Sequence, residues 1–273
     1  ALRRAGTRQR WRVASRPGVP AVCVAVAVGL VVSGCSRLFF VPESEHRWDP
    51  ATAGISYEDV WLEADDGVRL HGWFLPAEGE PKATVVFFHG NAQNVFMLDY
   101  RGFGRSEGRP DFTGVHKDAE AALAHAGERS DRLVVFGQSL GGSVAITTTA
   151  EHGDAHGVDA LIADSAFSSY RGIAREKLAG AWLTWPFQWP LSLTISDDFA
   201  PIGRIATISP TPILLIAGGN DPVVPDHHSE ALNAAAREPV TFWRYPGLGH
   251  TEALVREDVR DRLVAWLEAA LAS

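Results

Sequence analysis

A serine in the pattern G-x-S-x-G is the first feature of this sequence that points to chemistry. Ser139 lies in Gly137-Gln138-Ser139-Leu140-Gly141, directly after the apolar run Leu133–Phe136 and directly before a run of small residues. A nucleophile elbow requires a strand that leads into the serine and a helix that begins straight after it. We therefore predict that Ser139 is a nucleophile. A second match surrounds Ser106, but Arg101-Gly102-Phe103-Gly104 separates it from the preceding apolar run, so we do not expect Ser106 to react.

A serine hydroxyl is a poor nucleophile unless a base activates it and an acid orients that base. His250 follows the apolar run Thr241–Tyr245 through a glycine-rich turn, which makes it the predicted base. Asp221 follows Ile213–Ala217 through Gly218-Gly219-Asn220 and is the predicted acid. Asp164, at the end of Ala160–Ala163, is the competing acid, but it lies one strand nearer to the serine.

The other histidines have simpler interpretations. His227 and His228 are expected to open a polar helix, and His152 and His156 to flank Gly153 in a loop. The chain has only two cysteines and no H-E-x-x-H spacing, so a zinc site is not expected, and the predicted chemistry needs no metal or cofactor.

The predicted triad lies among alternating strands and helices. A hairpin is expected from Val60–Glu63 and Val68–Leu75, with Asp65-Asp66-Gly67 supplying the positive φ angles of its turn. Short and almost continuously apolar runs follow, which is typical of strands that are covered on both faces. The runs are Thr84–Phe88, Val95–Leu98, Leu133–Phe136, Ala160–Ala163, Ile213–Ala217 and Thr241–Tyr245.

Helical patterns separate several of these runs. One helix is expected over Asp118–Ala126, with Gly127 as the residue that terminates it, and another carries Val255, Val259, Leu263 and Trp266 on one face. Alternation of strands and helices predicts an α/β fold with a mostly parallel central sheet and helices on both faces. We expect one such domain over residues 51–273.

The N-terminal segment differs from this domain in charge. Residues 1–34 contain six arginines and no acidic residue, whereas the remainder has 19 basic against 33 acidic residues, a net charge of −14. So acidic a domain is a poor binder of nucleic acid, which requires clustered basic residues. Composition is otherwise that of a globular protein, with 46% hydrophobic residues.

Cys35 follows an arginine-rich stretch and the 14-residue apolar run Val19–Val32. That run is short for a membrane span and suits a signal peptide. Val32-Ser33-Gly34-Cys35 resembles a bacterial lipobox, which implies cleavage before Cys35 and lipidation of its thiol. Residues 1–34 would then be a lipoprotein signal peptide and 35–50 a tether, on the extracytoplasmic side of a bacterial envelope membrane. The alternative is a structural cysteine that ends a short anchor helix.

Several ordered motifs together resemble the BEM46-like group of α/β-hydrolases, which overlaps the serine-aminopeptidase-like hydrolases. These are His89-Gly90-Asn91-Ala92, Leu98-Asp99-Tyr100-Arg101-Gly102-Phe103-Gly104-Arg105-Ser106, Gly137-Gln138-Ser139-Leu140-Gly141-Gly142, Asn220-Asp221-Pro222-Val223-Val224-Pro225 and Gly249-His250. The resemblance covers roughly residues 55–270.

This resemblance implies an α/β-hydrolase fold and a serine hydrolase that acts on a small acyl ester, thioester or amide without a cofactor. It also implies an oxyanion hole built from the backbone N–H groups of Asn91 and Leu140. An esterase is the simplest interpretation. A peptidase, or a hydrolase-fold lipoprotein that binds without turnover, remains the alternative, and the sequence leaves the oligomeric state open.

A long excursion of about 30 residues, near 171–200, is the predicted lid. Trp182, Trp185, Phe187 and Trp189 fall within eight residues there. Their aromatic rings would form an acyl-binding surface; the alternative is a helix packed on the core.

One connection departs from the family pattern. Only the six residues from His89 to Asn94 separate the runs Thr84–Phe88 and Val95–Leu98. Neighbouring parallel strands need a crossover of a dozen or more residues, usually a helix. A crossover helix of roughly 15 to 20 residues is therefore expected to be missing after Thr84–Phe88. Because this connection adjoins Asn91, we expect impaired folding or turnover.

Overall fold

The computed structural model describes residues 39–42, 50–77, 79–90, 98–180 and 182–272. By its contacts the chain divides into residues 1–35 and 36–273, and all described residues lie in the second unit. Three predictions fall outside the described residues: the signal peptide with Cys35, the oxyanion donor Asn91, and residues 95–97 of the strand 95–98.

A five-stranded parallel sheet forms the centre of the molecule. Its strands, in spatial order, are β3 (Thr84–Phe88), β4 (Leu133–Gln138), β5 (Val158–Asp164), β6 (Ile213–Gly218) and β7 (Val240–Tyr245). Every neighbouring pair is parallel, so all five carboxyl ends lie along one edge. The predicted α/β-hydrolase architecture is confirmed.

Helices connect the strands and cover the sheet. They are α1 (Phe112–Gly127), α2 (Leu140–His156), α3 (Tyr170–Ala179), α4 (Gln188–Ser192), α5 (His227–Ala235) and α6 (Glu257–Ala270). Val134, Ile162 and Ile216 pack with Val259 of α6 on one face of the sheet. The alternate residues, such as Val135 and Leu161, are equally buried, as expected for strands covered on both sides. No helix in the described ranges has the length and apolar character needed to cross a membrane.

The predicted hairpin is confirmed as β1 (Glu58–Glu63) and β2 (Arg69–Phe74), paired antiparallel. Only Gly67 in its turn has a positive φ, +81°, so the expected second positive angle at Asp66 is wrong. Gly72 of β2 forms an isolated antiparallel bridge with Leu98, the one described residue of the predicted strand 95–98. A cavity of about 380 Å³ lies between this hairpin, β3 and α1.

The loop before α1 is fixed by buried charge pairs. Arg101 donates two hydrogen bonds to one oxygen, Oδ1 of Asp118 in α1, from Nε at 2.9 Å and from Nη2 at 2.8 Å. Asp99 accepts a 2.8 Å hydrogen bond from His71 Nδ1 of β2. The hydroxyl of Ser106 donates to the carbonyl oxygen of Asp99 at 2.6 Å. Ser106 Oγ also accepts a hydrogen bond from the backbone N–H of His71 in β2 at 2.8 Å. Ser106 therefore ties this loop to the hairpin, and its G-x-S-x-G match has a structural role.

Three local predictions are wrong. His152 and His156 lie within α2 rather than in a loop, because the helix continues through Gly153 to His156. Gly127 is the last residue of α1, and the capping position is Glu128, which keeps right-handed dihedral angles. Val255 lies in a short 3₁₀ turn before α6 and is 77% exposed, because the extended Arg256 separates that turn from the helix.

Candidate active site

The three residues of the predicted triad all lie at the carboxyl edge of the sheet. Ser139 directly follows β4, Asp221 follows β6 by three residues, and His250 follows β7 by five. The edge is continuous because Gln138 pairs with Asp164 of β5 and Gly218 pairs with Tyr245 of β7. Side chains at the ends of several strands thus converge on one site, as is usual in open parallel sheets.

Ser139 occupies a strained turn between β4 and α2. Its φ is 56° and its ψ is −120°, a conformation that L-residues rarely adopt. A Cβ at Gly137 would overlap the carbonyl oxygen of Gly141, and one at Gly141 would overlap the carbonyl oxygen of Phe88. Both positions therefore require glycine. The strand–serine–helix geometry that was predicted from the motif is confirmed.

Asp221 and His250 form a direct pair. His250 Nδ1 lies 2.7 Å from Asp221 Oδ2, and the N–H groups of Val223 and Val224 donate to Oδ1 at 2.7 and 2.8 Å. Burial by itself would raise the pKa of the Asp221 carboxyl, but these hydrogen bonds and the His250 ring outweigh it and lower the pKa. Asp221 is therefore a carboxylate that fixes the tautomer of His250 and leaves Nε2 for proton transfer.

The contact between the serine and the histidine of the predicted triad is not formed in the described residues. No hydrogen bond joins Ser139 Oγ to His250 among the residues that the structure describes. Catalytic hydrogen bonds are often long in a ligand-free enzyme and tighten when substrate binds.

Asp164, the competing acid, makes different contacts. Gln138 Nε2 and Ser165 Oγ donate to its carboxylate at 3.0 and 3.1 Å. Burial raises the pKa of Asp164 to about 6. Its hydrogen bonds go to Gln138 and Ser165 and not to His250, so the geometry favours Asp221 as the orienting acid.

Leu140 and Gly90 are the described parts of the predicted oxyanion hole. Leu140 is the first residue of α2, so its N–H has no acceptor within the helix. A Cβ at Gly90 would lie 3.1 Å from Cβ of Ser139, which places the His89-Gly90 turn against the serine. The predicted second donor, Asn91, follows Gly90 and lies outside the described residues.

Sequence reasoning missed Ser165 and Thr251. Thr251 N–H donates to Ser165 Oγ at 3.2 Å, and both residues have positive φ, 53° and 54°. This contact links the loop that carries His250 to the end of β5. Serine and threonine rarely adopt a positive φ, so the sequence around Ser165 and Thr251 gives no local signal for this contact.

The predicted lid consists of α3, a 3₁₀ turn at Trp185–Phe187 and α4. Trp182, Trp185, Phe187 and Trp189 are each more than half exposed. The alternative in which these rings pack on the core is therefore wrong. Lys177, in the last turn of α3, donates to the carbonyl oxygen of Pro222 at 2.9 Å, so the lid borders the loop that carries Asp221.

One group of residues has metal-ligand chemistry: Glu176, His227 and His228. His227 Nε2 lies 3.0 Å from Oε1 of Glu176, and His228 Nε2 lies 3.3 Å from Oε2. The N–H of Ser168 donates to Nδ1 of His228 at 3.2 Å, so neutral His228 carries its proton on Nε2, facing Glu176. A metal at Nε2 of His228 would have to displace this proton. The sequence predicted only that these histidines open α5, which is confirmed.

Known proteins share this arrangement of motifs and fold. A family model described as "Serine aminopeptidase, S33" matches residues 85–192. YfhR of Escherichia coli (strain K12) is 35% identical, with 91% of this chain and 92% of that protein covered. The α/β hydrolase domain-containing protein WAV2 of Arabidopsis thaliana is 36% identical, with 84% and 85% covered. Protein bem46 of Schizosaccharomyces pombe is 28% identical over 64% of each chain.

The chain belongs to the BEM46-like family of α/β-hydrolases. Solved structures agree on the fold. The esterase Pf2001 of Pyrococcus furiosus superposes with a TM-score of 0.67 at 22% identity, covering 85% of this chain and 98% of the esterase. A membrane phospholipase A, a bacterial virulence factor, superposes with a TM-score of 0.58 at 17% identity, covering 93% and 98%. Membership of this family and the shared fold support a hydrolase.

The alignment with YfhR has 277 positions although it uses 91% of this 273-residue chain. It therefore contains positions where YfhR has a residue and this chain has none.

Proposed function

We propose that this protein is a serine hydrolase that cleaves a small acyl ester through an acyl-enzyme on Ser139. The Oγ atom of Ser139 attacks the carbonyl carbon while Nε2 of His250 takes its proton. Asp221 stabilises the imidazolium that forms, and the N–H groups of Leu140 and Asn91 bind the oxyanion. His250 returns the proton to the leaving alcohol. Water, deprotonated by His250, then attacks the acyl carbon, and the proton passes to Ser139 as the acid leaves.

The observation that carries this proposal is the 2.7 Å Asp221–His250 hydrogen bond at the edge where Ser139 occupies its strained turn. Acid and base are 29 residues apart in sequence, yet they meet at the sheet edge that also carries Ser139, half-buried in its strand-to-helix turn. The Pyrococcus furiosus neighbour is an esterase, which supports an ester as the substrate.

Two observations favour a second function. The six-residue connection that contains the second oxyanion donor, and the absence of a Ser139–His250 hydrogen bond in the described residues, favour a hydrolase-fold protein that binds acyl compounds with impaired turnover. A peptidase is the third alternative, since the matching family model is described as a serine aminopeptidase.

Labelling by a fluorophosphonate distinguishes an active hydrolase from an impaired one. We expect stoichiometric labelling of the full chain and none in Ser139→Ala. Ser106→Ala tests the rival motif, and Ser130→Ala, at a half-buried serine outside both motifs, is the control; both should label like the wild type. Labelling that survives in Ser139→Ala would refute the assignment, and no labelling of the wild type would favour the binding protein.

We also propose that Cys35 is lipidated and holds the domain at a bacterial envelope membrane. The support is the sequence: arginines, a 14-residue apolar run and Val32-Ser33-Gly34-Cys35. Two or three acyl chains give stable anchoring, which one chain does not. In Cys35→Ser we expect uncleaved precursor or soluble protein after cell fractionation. A membrane-bound product of mature size in that variant would contradict lipidation.

A further inference from the structure

The lid contains a run of 19 residues, 178–196, without a charged side chain, in a chain of which 21% is charged. Six large apolar side chains of this run form what we call the lid surface. Their exposures are 87% for Trp182, 66% for Leu183, 59% for Trp185, 56% for Phe187, 61% for Trp189 and 66% for Leu193. Soluble proteins rarely expose so many apolar side chains together unless the surface meets a partner or a membrane.

The residue types favour a bilayer over a protein partner. Three of the six are tryptophans, whose rings are enriched where membrane headgroups meet acyl chains. Arg175 lies over the Trp189 ring at 4.5 Å, which places a cation at the border of the lid surface.

The N-terminal end of the described domain lies on the same side as the lid. The Phe39 ring packs edge-on against Phe112 at 5.2 Å and Tyr170 at 5.6 Å between centroids. Tyr170 is the first residue of α3, the helix that leads into the lid. Cys35 precedes Phe39 by four residues, so the extended chain between them spans at most about 14 Å. A lipid on Cys35 would therefore hold a membrane close to the start of α3.

We propose that the lid surface binds the lipid bilayer and that the enzyme takes its acyl substrate from the membrane. This inference rests on the proposed hydrolase and anchor. The bond from Lys177 Nζ to the Pro222 carbonyl connects the lid to the loop of Asp221, so a bilayer at the lid surface lies beside the catalytic edge. The substrate class is then a lipid ester whose acyl chain enters from the membrane.

The binding is apolar rather than electrostatic. The domain after residue 34 carries a net charge of −14, which disfavours anionic lipids, and the run 178–196 is neutral. Salt screens interactions between charges but not contact between apolar surfaces. Raising NaCl from 0.1 to 0.5 M should therefore change the lid–bilayer contact less than twofold.

Quenching by brominated acyl chains tests the contact directly. The full chain is bound to phosphatidylcholine vesicles, with and without bromine in the acyl chains, and tryptophan fluorescence is compared. The chain has nine tryptophans, and three belong to the lid surface. The triple variant Trp182→Phe/Trp185→Phe/Trp189→Phe keeps the surface apolar and should lose most of the quenchable fluorescence. Trp61→Phe, in the β1–β2 hairpin, is the matched control and should keep it.

Three outcomes would overturn the proposal. One is equal quenching in the triple variant and the wild type. Another is co-sedimentation of the chain with vesicles but no quenching of any lid tryptophan, which would leave the anchor standing and point to a protein partner at the lid surface. A chain that does not bind vesicles at all also contradicts the proposal.

Activity separates this inference from the proposed function. The polar variant Trp182→Ser/Trp185→Ser/Trp189→Ser should lose at least tenfold in kcat/KM on a vesicle-embedded ester. Its rate on soluble p-nitrophenyl acetate should fall by a much smaller factor, because that substrate does not have to be taken from a membrane. Equal loss of both rates in a folded variant would give the lid a role in acyl binding or chemistry rather than in membrane binding. A wild type inactive on both substrates refutes the hydrolase, whereas the quenching result is independent of turnover.

Discussion

Thr251 donates its backbone N–H to the hydroxyl of Ser165 over 3.2 Å, and this contact fixes the loop of His250 against the end of β5. Ser165 also donates to Asp164, so a buried carboxyl lies behind the catalytic pair without touching it. The two acids at this edge therefore make separate contacts: Asp221 with His250, and Asp164 with Ser165, which holds the loop of His250.

Replacement of Asp221 tests the orienting acid. In Asp221→Asn the amide presents the wrong partner to Nδ1 of His250, so kcat on a soluble ester should fall by about 10⁴. KM should change little. Asp226→Asn, in the same loop, is the control and should stay within twofold of wild type. If kcat falls less than tenfold in Asp221→Asn, Asp164 would again be a candidate for the orienting acid.

Ionisation of Asp164 should make the free energy of unfolding depend on pH. Burial raises its pKa in the folded protein to about 6, above the ordinary value of 3.8. The folded state therefore binds this proton more tightly than the unfolded state, and the free energy of unfolding falls as pH rises from 3.8 to 6. Asp164→Asn, which does not ionise, should gain stability relative to wild type by on the order of 2 kcal/mol between pH 4 and pH 8. Urea unfolding at both pH values measures this, and parallel profiles would contradict it.

The close packing of the serine turn predicts that two Gly→Ala variants differ in their free energy of unfolding. Gly141→Ala would push a methyl group into the carbonyl oxygen of Phe88, so we expect a loss of at least 2 kcal/mol of stability. A Cβ at Gly203 meets nothing within 4 Å, so Gly203→Ala should be nearly neutral. Equal melting temperatures for the two variants would show that the turn at Ser139 has room for a methyl group at position 141.

Restoring the connection after β3 tests the missing crossover. Inserting a helical segment of about 15 to 20 residues between Asn94 and Val95 should complete the parallel crossover and fix Asn91 beside Ser139. Since one oxyanion donor contributes about 10² to 10³ in rate, kcat should rise by up to that factor. The same segment inserted at the exposed Gly79 is the control. If the wild type already turns over at a normal rate and the insertion leaves kcat unchanged, no crossover helix is needed after β3.

The sequence by itself determined the strands, the order of the motifs and the candidate triad. These are local or ordered signals: apolar runs such as Leu133–Phe136 set strands that are covered on both faces, and glycines at 137 and 141 permit the turn at Ser139. The structure moved element ends, as at Gly127 and Val255, where the hydrogen bonds of a helix end depend on neighbours rather than on one residue type. It also placed His152 and His156 in a helix rather than in a loop.

Only the tertiary structure decided how the candidate site is supported. Asp221 and Asp164 are both acids at strand ends, and sequence favoured the first by strand position; the hydrogen bond to His250 separates them because it depends on two loops meeting. The Ser165–Thr251 contact and the exposure of the lid tryptophans likewise depend on residues brought together from separate parts of the chain. Distances across a fold are set by the packing of whole elements, which no single motif encodes.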